Sequence, residues 1–247
     1  MMYAFLRALM RTLTRVYLVG LFKVVGVENV PRTGPLIICP NHSATLDPPM
    51  VPAFVPRSDT WSMAKSEYFR KPYMRFWFEA YHAFPVVRHS ADRTALRRSF
   101  DLLKAGNALI MYPEGTRIES GVLAQPEPGA GFIAQKAGCL VLPVGLTGTR
   151  ECLPKGAHWP RRMRVTITFG KPFVVLQKRA DGARVSHEEA SDAIMVKIAE
   201  LLLPEQRGVF SDLEAHRKRL AGVTAPIAEP KGAAPHPNPP PAGEGRA

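Results

Sequence analysis

The stretch Leu36-Ile37-Ile38-Cys39-Pro40-Asn41-His42-Ser43-Ala44-Thr45-Leu46-Asp47-Pro48-Pro49 changes character twice. Leu36–Cys39 is a short apolar run that follows the turn signal Pro31-Arg32-Thr33-Gly34-Pro35, which predicts a buried strand. A polar loop follows. Asp47 ahead of Pro48 and Pro49 predicts a helix start, with Asp as the cap and Pro at the first helical position. Trp61–Ala64, Pro85–Val87, Ala108–Tyr112 and Leu140–Val144 repeat the short apolar run. Between two of these, Asp92–Ala105 carries Leu96, Phe100 and Leu103 at helical spacing, and Gly106 terminates it. Val165, Ile167 and Phe169 alternate with threonines as a half-buried strand does, and Ser186-His187-Glu188-Glu189 is a capping box opening a helix that Pro204 stops. Strands alternating with helices predict an α/β fold: a mixed, largely parallel sheet flanked by helices.

Outside this body, residues 4–22 place Arg7, Arg11 and Arg15 on one helical face beside Phe5, Leu6, Leu9, Met10, Leu13, Val16 and Tyr17. That pattern suits an amphipathic helix lying in a membrane interface, or a helix packed on the protein's own core with a solvated arginine stripe. From Gly222 onward Pro, Ala and Gly dominate, which predicts a disordered tail. The organisation is therefore a membrane-associating segment over residues 1–25, a single domain over 26–221, and a tail over 222–247.

The chain has 247 residues, 33 basic against 21 acidic, for a formal charge of +12. Glu229, Lys231, Glu244 and Arg246 cancel in the tail, so the body carries the excess and attracts anions: nucleic acid, anionic lipid or phosphorylated substrates. Three cysteines without paired spacing, Cys39, Cys139 and Cys152, read as buried thiols in a reducing compartment, and neither they nor the histidines show metal-ligand spacing. No apolar stretch is long enough to span a bilayer, and the arginines break any signal-peptide pattern at the N-terminus.

The chemistry-bearing residues sit where the predicted strands end. His42 and Asp47 cannot share a helix face, because five residues on an α-helix are about 140° apart. On a loop that runs into a helix start, the carboxylate can return to one imidazole nitrogen and leave the other as a general base. Tyr112-Pro113-Glu114-Gly115-Thr116-Arg117 follows another apolar strand, at the carboxyl end where open α/β sheets place their sites. Gly115 permits close backbone approach, and Arg117 can fork onto a phosphate.

Together these segments resemble the 1-acyl-sn-glycerol-3-phosphate acyltransferases, the glycerolipid acyltransferase family. Asn41-His42 with Asp47 is similar to the family's first block, Phe84-Pro85-Val86-Val87-Arg88 to its second, Tyr112–Arg117 to its third, and Val141-Leu142-Pro143-Val144 to its fourth, in the family's order. Lys65 sits where the family commonly has a lysine between the first two. Ile118, where the third block usually continues with Ser, and Glu127-Pro128-Gly129, where a Lys often precedes the Gly, depart from the pattern.

The resemblance implies that His42, oriented by Asp47, takes the proton of an acceptor hydroxyl as it attacks an acyl thioester. It places Lys65, Arg88, Glu114, Gly115, Thr116 and Arg117 in substrate binding, with the cations on the acceptor phosphate and Glu114 on Arg117 or the glycerol backbone. The acceptor is lysophosphatidate, the product phosphatidate, and the donor acyl-CoA or acyl carrier protein. No cofactor or metal is required. The implied partners are the two substrates and an anionic membrane surface, with no nucleic acid. The implied location is the cytoplasmic face of a membrane, peripheral or monotopic. Another lyso-lipid acceptor is the alternative within the class; a non-enzymatic basic membrane-binding protein is the alternative outside it, and it has no need of His42 and Asp47. Gly129-Ala130-Gly131-Phe132-Ile133-Ala134 imitates a dinucleotide fingerprint, but no strand precedes it. Phe76, Trp77, Phe78, Tyr81 and Phe84 suggest either an acyl groove or core packing.

Overall fold

The computed structural model describes residues 1–88, 92–154, 156–157 and 159–227. Its frame is the expected one. β2 (Leu36–Pro40) is central, with β5 (Ala108–Ile110), β3 (Thr60–Lys65) and β4 (Ala83–Val86) running parallel to it on one side, and β6 (Leu140–Thr147) parallel on the other. Beyond β6 the sheet turns antiparallel through β7 (Val165–Phe169), which pairs in parallel with β1 (Phe22–Val25) at the edge. β8 (Phe173–Val175) also pairs antiparallel with β6.

Alternation along the strands fills two cores. Ile37, Leu109 and Val141 face α4 (Arg93–Lys104), α5 (Gly129–Ala137) and α7 (His187–Ala199). Leu36, Ile38, Ile110 and Leu142 face α2 (Asp47–Phe54). Asp92 caps α4 by accepting from Thr94 N and Ala95 N, and the Ser186 capping box forms as the sequence predicts. Gly131 lets α5 press on α7: a Cβ there would come within 2.3 Å of the His187 carbonyl oxygen. Packing, not a dinucleotide, accounts for that glycine.

Three expectations are corrected. Asp47 does not cap α2; Leu46 does, and Asp47 is the first helical residue. Pro48 and Pro49 offer no N–H, the Met50 amide is taken by the Leu46 carbonyl, and the Asp47 carboxylate turns back to the amides of Ser43 and Ala44. The boundary at residue 25 falls inside the sheet, because Phe22–Val25 is the edge strand. The tail does not begin at residue 222 either: Val223 is fully buried and β9 (Thr224–Pro226) pairs with β8. Residues 228–247 of the expected tail lie outside the described residues.

The N-terminal helix α1 (Met2–Tyr17) is oriented opposite to a solvated arginine stripe. Arg7 is 6% exposed, donates from Nε to the Pro52 carbonyl at 2.7 Å and also bonds the Val55 carbonyl. Arg11 Nε donates to the Ala53 carbonyl at 3.1 Å. The last carbonyls of α2 have no partners of their own, and the guanidinium groups satisfy them. Tyr3 stacks on His82 with ring centroids 3.8 Å apart. The apolar side, with Phe5, Leu9, Leu13 and Val16, is left facing outward. Among the described residues no helix is long and apolar enough to cross a membrane.

Candidate active site

Because β2, β3, β4, β5 and β6 are parallel, their carboxyl ends lie along one edge of the sheet. Asn41 and His42 follow β2, Arg88 follows β4, and Tyr112–Arg117 follows β5. Asn41 fixes the first of these loops to the neighbouring strand: its Nδ2 donates to the Leu146 carbonyl at 3.1 Å and its Oδ1 accepts from Leu146 N at 2.7 Å.

His42 and Asp47 meet as the sequence predicts. Nδ1 lies 2.9 Å from Asp47 Oδ2, and that same oxygen accepts from Ser43 N at 2.8 Å and Ala44 N at 2.7 Å. The carboxylate, fully buried, is thus tied to the backbone of the loop it serves. An ionised carboxylate on Nδ1 selects the tautomer with its proton there, which leaves Nε2 to accept a proton. The Tyr112 ring packs against the imidazole at 4.3 Å. Its hydroxyl is buried without a partner among the described residues, and burial together with the Asp47 charge pushes its pKa well above the ordinary value.

Glu114 does not orient Arg117 among the described residues. It takes no contact from Arg117; its Oε2 accepts from His42 N at 2.7 Å and its Oε1 from Ala124 N at 3.4 Å. Ile118 N donates to the His42 carbonyl at 2.8 Å. The turn after β5 therefore clamps both backbone groups of the histidine. Burial, and to a lesser degree the Asp47 charge, push the Glu114 carboxyl up to about 7 against the pull of its two amide donors. Gly115, at φ +67°, passes so close to Glu127 that a Cβ would approach its Cγ to 2.7 Å.

The cations expected to share one phosphate are divided between two concavities. A cavity of about 680 Å³ holds His42, Lys65, Arg88 and Gly115, together with Asp92, Glu127, His187 and Glu188, at its polar parts and Met63, Val86, Leu96, Met111, Phe132 and Ile133 on its apolar walls. Lys65 pairs with Glu67 at 3.1 Å, with both side chains well exposed. Arg88 reaches Thr116 Oγ1 at 3.4 Å. Arg117 points the other way, bonding the Thr45 hydroxyl and lining a second concavity with Arg150 and Arg161. The last two escaped the sequence reading, although Arg150 follows β6 at the same sheet edge, where the strand-end rule could have found it. None of the aromatic cluster lines the large cavity. Phe84 is core, Phe76 and Trp77 are exposed on α3 (Pro72–Ala80), Phe78 stacks on Tyr68, and Tyr81 donates to the Pro49 carbonyl.

This geometry joins a carboxylate-oriented histidine to a largely apolar cavity with both cations and carboxylates at its polar parts. The profile described as Acyltransferase matches residues 21–147, just over half of the chain. The 1-acyl-sn-glycerol-3-phosphate acyltransferase of Bacillus subtilis (strain 168) is 26% identical over 186 residues, 74% of this chain and 88% of that protein. A chloroplastic 1-acyl-sn-glycerol-3-phosphate acyltransferase of Arabidopsis thaliana is 26% identical over 165 residues, 65% of this chain and 44% of that one. The chain spans about half the length of the chloroplast relatives it matches. The crystal structure of PlsC, the 1-acyl-sn-glycerophosphate (LPA) acyltransferase of Thermotoga maritima, superposes with a TM-score of 0.63 at 26% identity, covering 79% of this chain and 78% of that one. The matched span covers more than half of the chain, runs from the edge strand β1 through β6 and takes in the loops that carry His42, Asp47, Arg88 and Tyr112–Arg117, and on that ground the chain belongs to the Acyltransferase family.

Proposed function

We propose that this protein transfers a fatty acyl group from a thioester, acyl-CoA or acyl carrier protein, to the hydroxyl of lysophosphatidate, giving phosphatidate. The observation that carries the reading is the buried Asp47 carboxylate held on His42 Nδ1, with the imidazole lining an apolar cavity. Nε2 takes the acceptor's proton as its oxygen attacks the thioester carbonyl. The C–O bond forms, the C–S bond breaks, and the departing sulfur recovers the proton from the imidazolium. No acyl-enzyme is needed. A cavity of this size falls in the range of ligand pockets, and its apolar walls suit a hydrocarbon chain. A non-enzymatic binding module gives no reason to bury a carboxylate against a histidine.

Lipid substrates require a surface to meet on. The outward face of α1, where Phe5 is 60% and Val16 69% exposed, together with exposed Tyr73, Phe76 and Trp77 on α3, supports peripheral docking on a membrane. The basic balance of the chain adds attraction to anionic lipid.

The test is a panel of lyso-lipids with and without phosphate, each assayed with both donor types. Lysophosphatidate should be the best acceptor, and His42→Ala should lose roughly 10²–10⁴-fold in turnover with an unchanged melting curve. A His42→Ala protein retaining more than about a tenth of wild-type turnover would sink the mechanism.

A further inference from the structure

The second concavity, about 530 Å³, meets the first at the catalytic loop: the large cavity takes in His42, the second the next three residues, Ser43, Ala44 and Thr45. Its three arginines come from separate places. Arg117 follows β5, Arg150 belongs to the short helix α6 (Thr149–Cys152) after β6, and Arg161 lies on the loop entering β7. Arg150 is held in position, its Nε donating to the Glu119 carbonyl at 2.9 Å and its stem so close over Gly121 that a Cβ there would meet Arg150 Cδ at 2.7 Å.

The acidic residues of the concavity are Glu119 and Glu151. Glu151 is 3.8 Å from Arg150 Nη1 with both side chains about half exposed, so the pair is long and solvated and leaves the guanidinium able to bind. The Arg161 guanidinium has no hydrogen-bond or ion-pair partner among the described residues; only its backbone is fixed, by a bond to the Cys152 carbonyl. Ser43 and Thr45 add hydroxyl donors. Forked guanidinium groups converging with hydroxyls on a solvated hollow match the oxygens of a phosphate.

We propose that this concavity is a phosphate subsite of the transfer reaction, in which Arg150 and Arg161 join Arg117 in holding a phosphate of one of the two substrates. The proposal rests on the acyl-transfer reading. Two sources share the chemistry: the phosphomonoester of the lipid acceptor, and the phosphates of the donor's coenzyme or phosphopantetheine arm. Lys65 and Arg88 line the large cavity while Arg117, Arg150 and Arg161 line the second, so the site has two groups of cations for two phosphorylated substrates.

The experiment compares the full chain with Arg150→Gln and Arg161→Gln. Binding of glycerol 3-phosphate and of adenosine 3′,5′-bisphosphate is measured by calorimetry at low salt, independently of turnover, and KM is measured for each substrate. Each variant should weaken one probe roughly tenfold, as loss of a charge-assisted hydrogen bond does, and raise the KM of the matching substrate by a similar factor. An effect on glycerol 3-phosphate assigns the acceptor's phosphate, and an effect on the adenosine probe the donor's. A monoacylglycerol acceptor or an N-acetylcysteamine thioester donor, which lack phosphate, should not respond. Unchanged probe binding in both variants overturns the subsite, and so does an equal rise in KM for the phosphate-free substrates. A wild-type chain that binds a probe through Arg161 yet transfers no acyl group keeps the subsite and removes the acyl-transfer reading instead.

Discussion

Replacing Glu114 by Gln should flatten the dependence of stability on pH. The Glu114 carboxyl is buried beside Asp47 and is pushed up to about 7 from an ordinary 4.5. Its folded-state value lies above its unfolded one, so between those limits the folded protein binds the proton that the unfolded chain releases. Stability then falls as pH rises through that window, and the penalty is complete above about pH 7. Integrated from about pH 5.5 to about pH 8, this one group removes about 2 kcal/mol. The substituted amide keeps an oxygen for His42 N and loses the long contact from Ala124 N, which shifts the whole curve without tilting it. Urea midpoints of both proteins at several pH values isolate the effect, because every other titrating group is common to the two. The wild type should lose about 2 kcal/mol more than Glu114→Gln between about pH 5.5 and pH 8. Parallel stability curves would refute the claim that a buried, proton-retaining carboxyl clamps the histidine.

Two further outcomes concern α1. Arg7→Met should cost about 2 kcal/mol or more in urea unfolding, because it strips the partners from the buried Pro52 and Val55 carbonyls; Arg15→Gln, on an exposed position, should stay within about 0.5 kcal/mol. Leu9→Gln combined with Leu13→Gln should move the protein from the vesicle-bound to the free fraction in flotation while leaving its melting curve in place. Retained binding would show that the outward apolar face of α1 is not the docking surface.

What the sequence made legible was what is local in it. His42 and Asp47 are five residues apart on one loop, and the strand before them and the helix after them are each readable from a few neighbours, so the pair survives translation into three dimensions. Orientation was not legible. The four-residue spacing of Arg7, Arg11 and Arg15 reports a helical stripe, but the direction it faces is decided by the unpaired carbonyls of α2, some forty residues away in sequence. Arg88 and Arg117 looked like partners because both follow strands at one edge, yet Arg88 reaches Thr116 and lines the large cavity while Arg117 bonds Thr45 and lines the second. At the other end, Gly222 and Pro226 read as tail composition, while a single buried valine and a three-residue pairing with β8 draw that segment onto the sheet.

The loop that carries His42 owes its shape to backbone contacts more than to its own side-chain pair. Asn41 pins it to β6, Glu114 takes the amide of His42, Ile118 gives its amide to the His42 carbonyl, and Asp47 gathers the amides of Ser43 and Ala44. Each contact survives a change of substrate, since none touches the cavity's apolar walls. The Glu-Gly-Thr turn therefore acts first on the catalytic loop. Gly115 keeps the turn tight enough for Glu114 to reach inward, and Thr116 and Arg117 point out toward the two groups of cations. Under the proposed acyl transfer, a histidine held this way would need no rearrangement when a substrate arrives, and variation in acceptor and donor would be absorbed in the two concavities while the geometry of proton transfer stayed fixed.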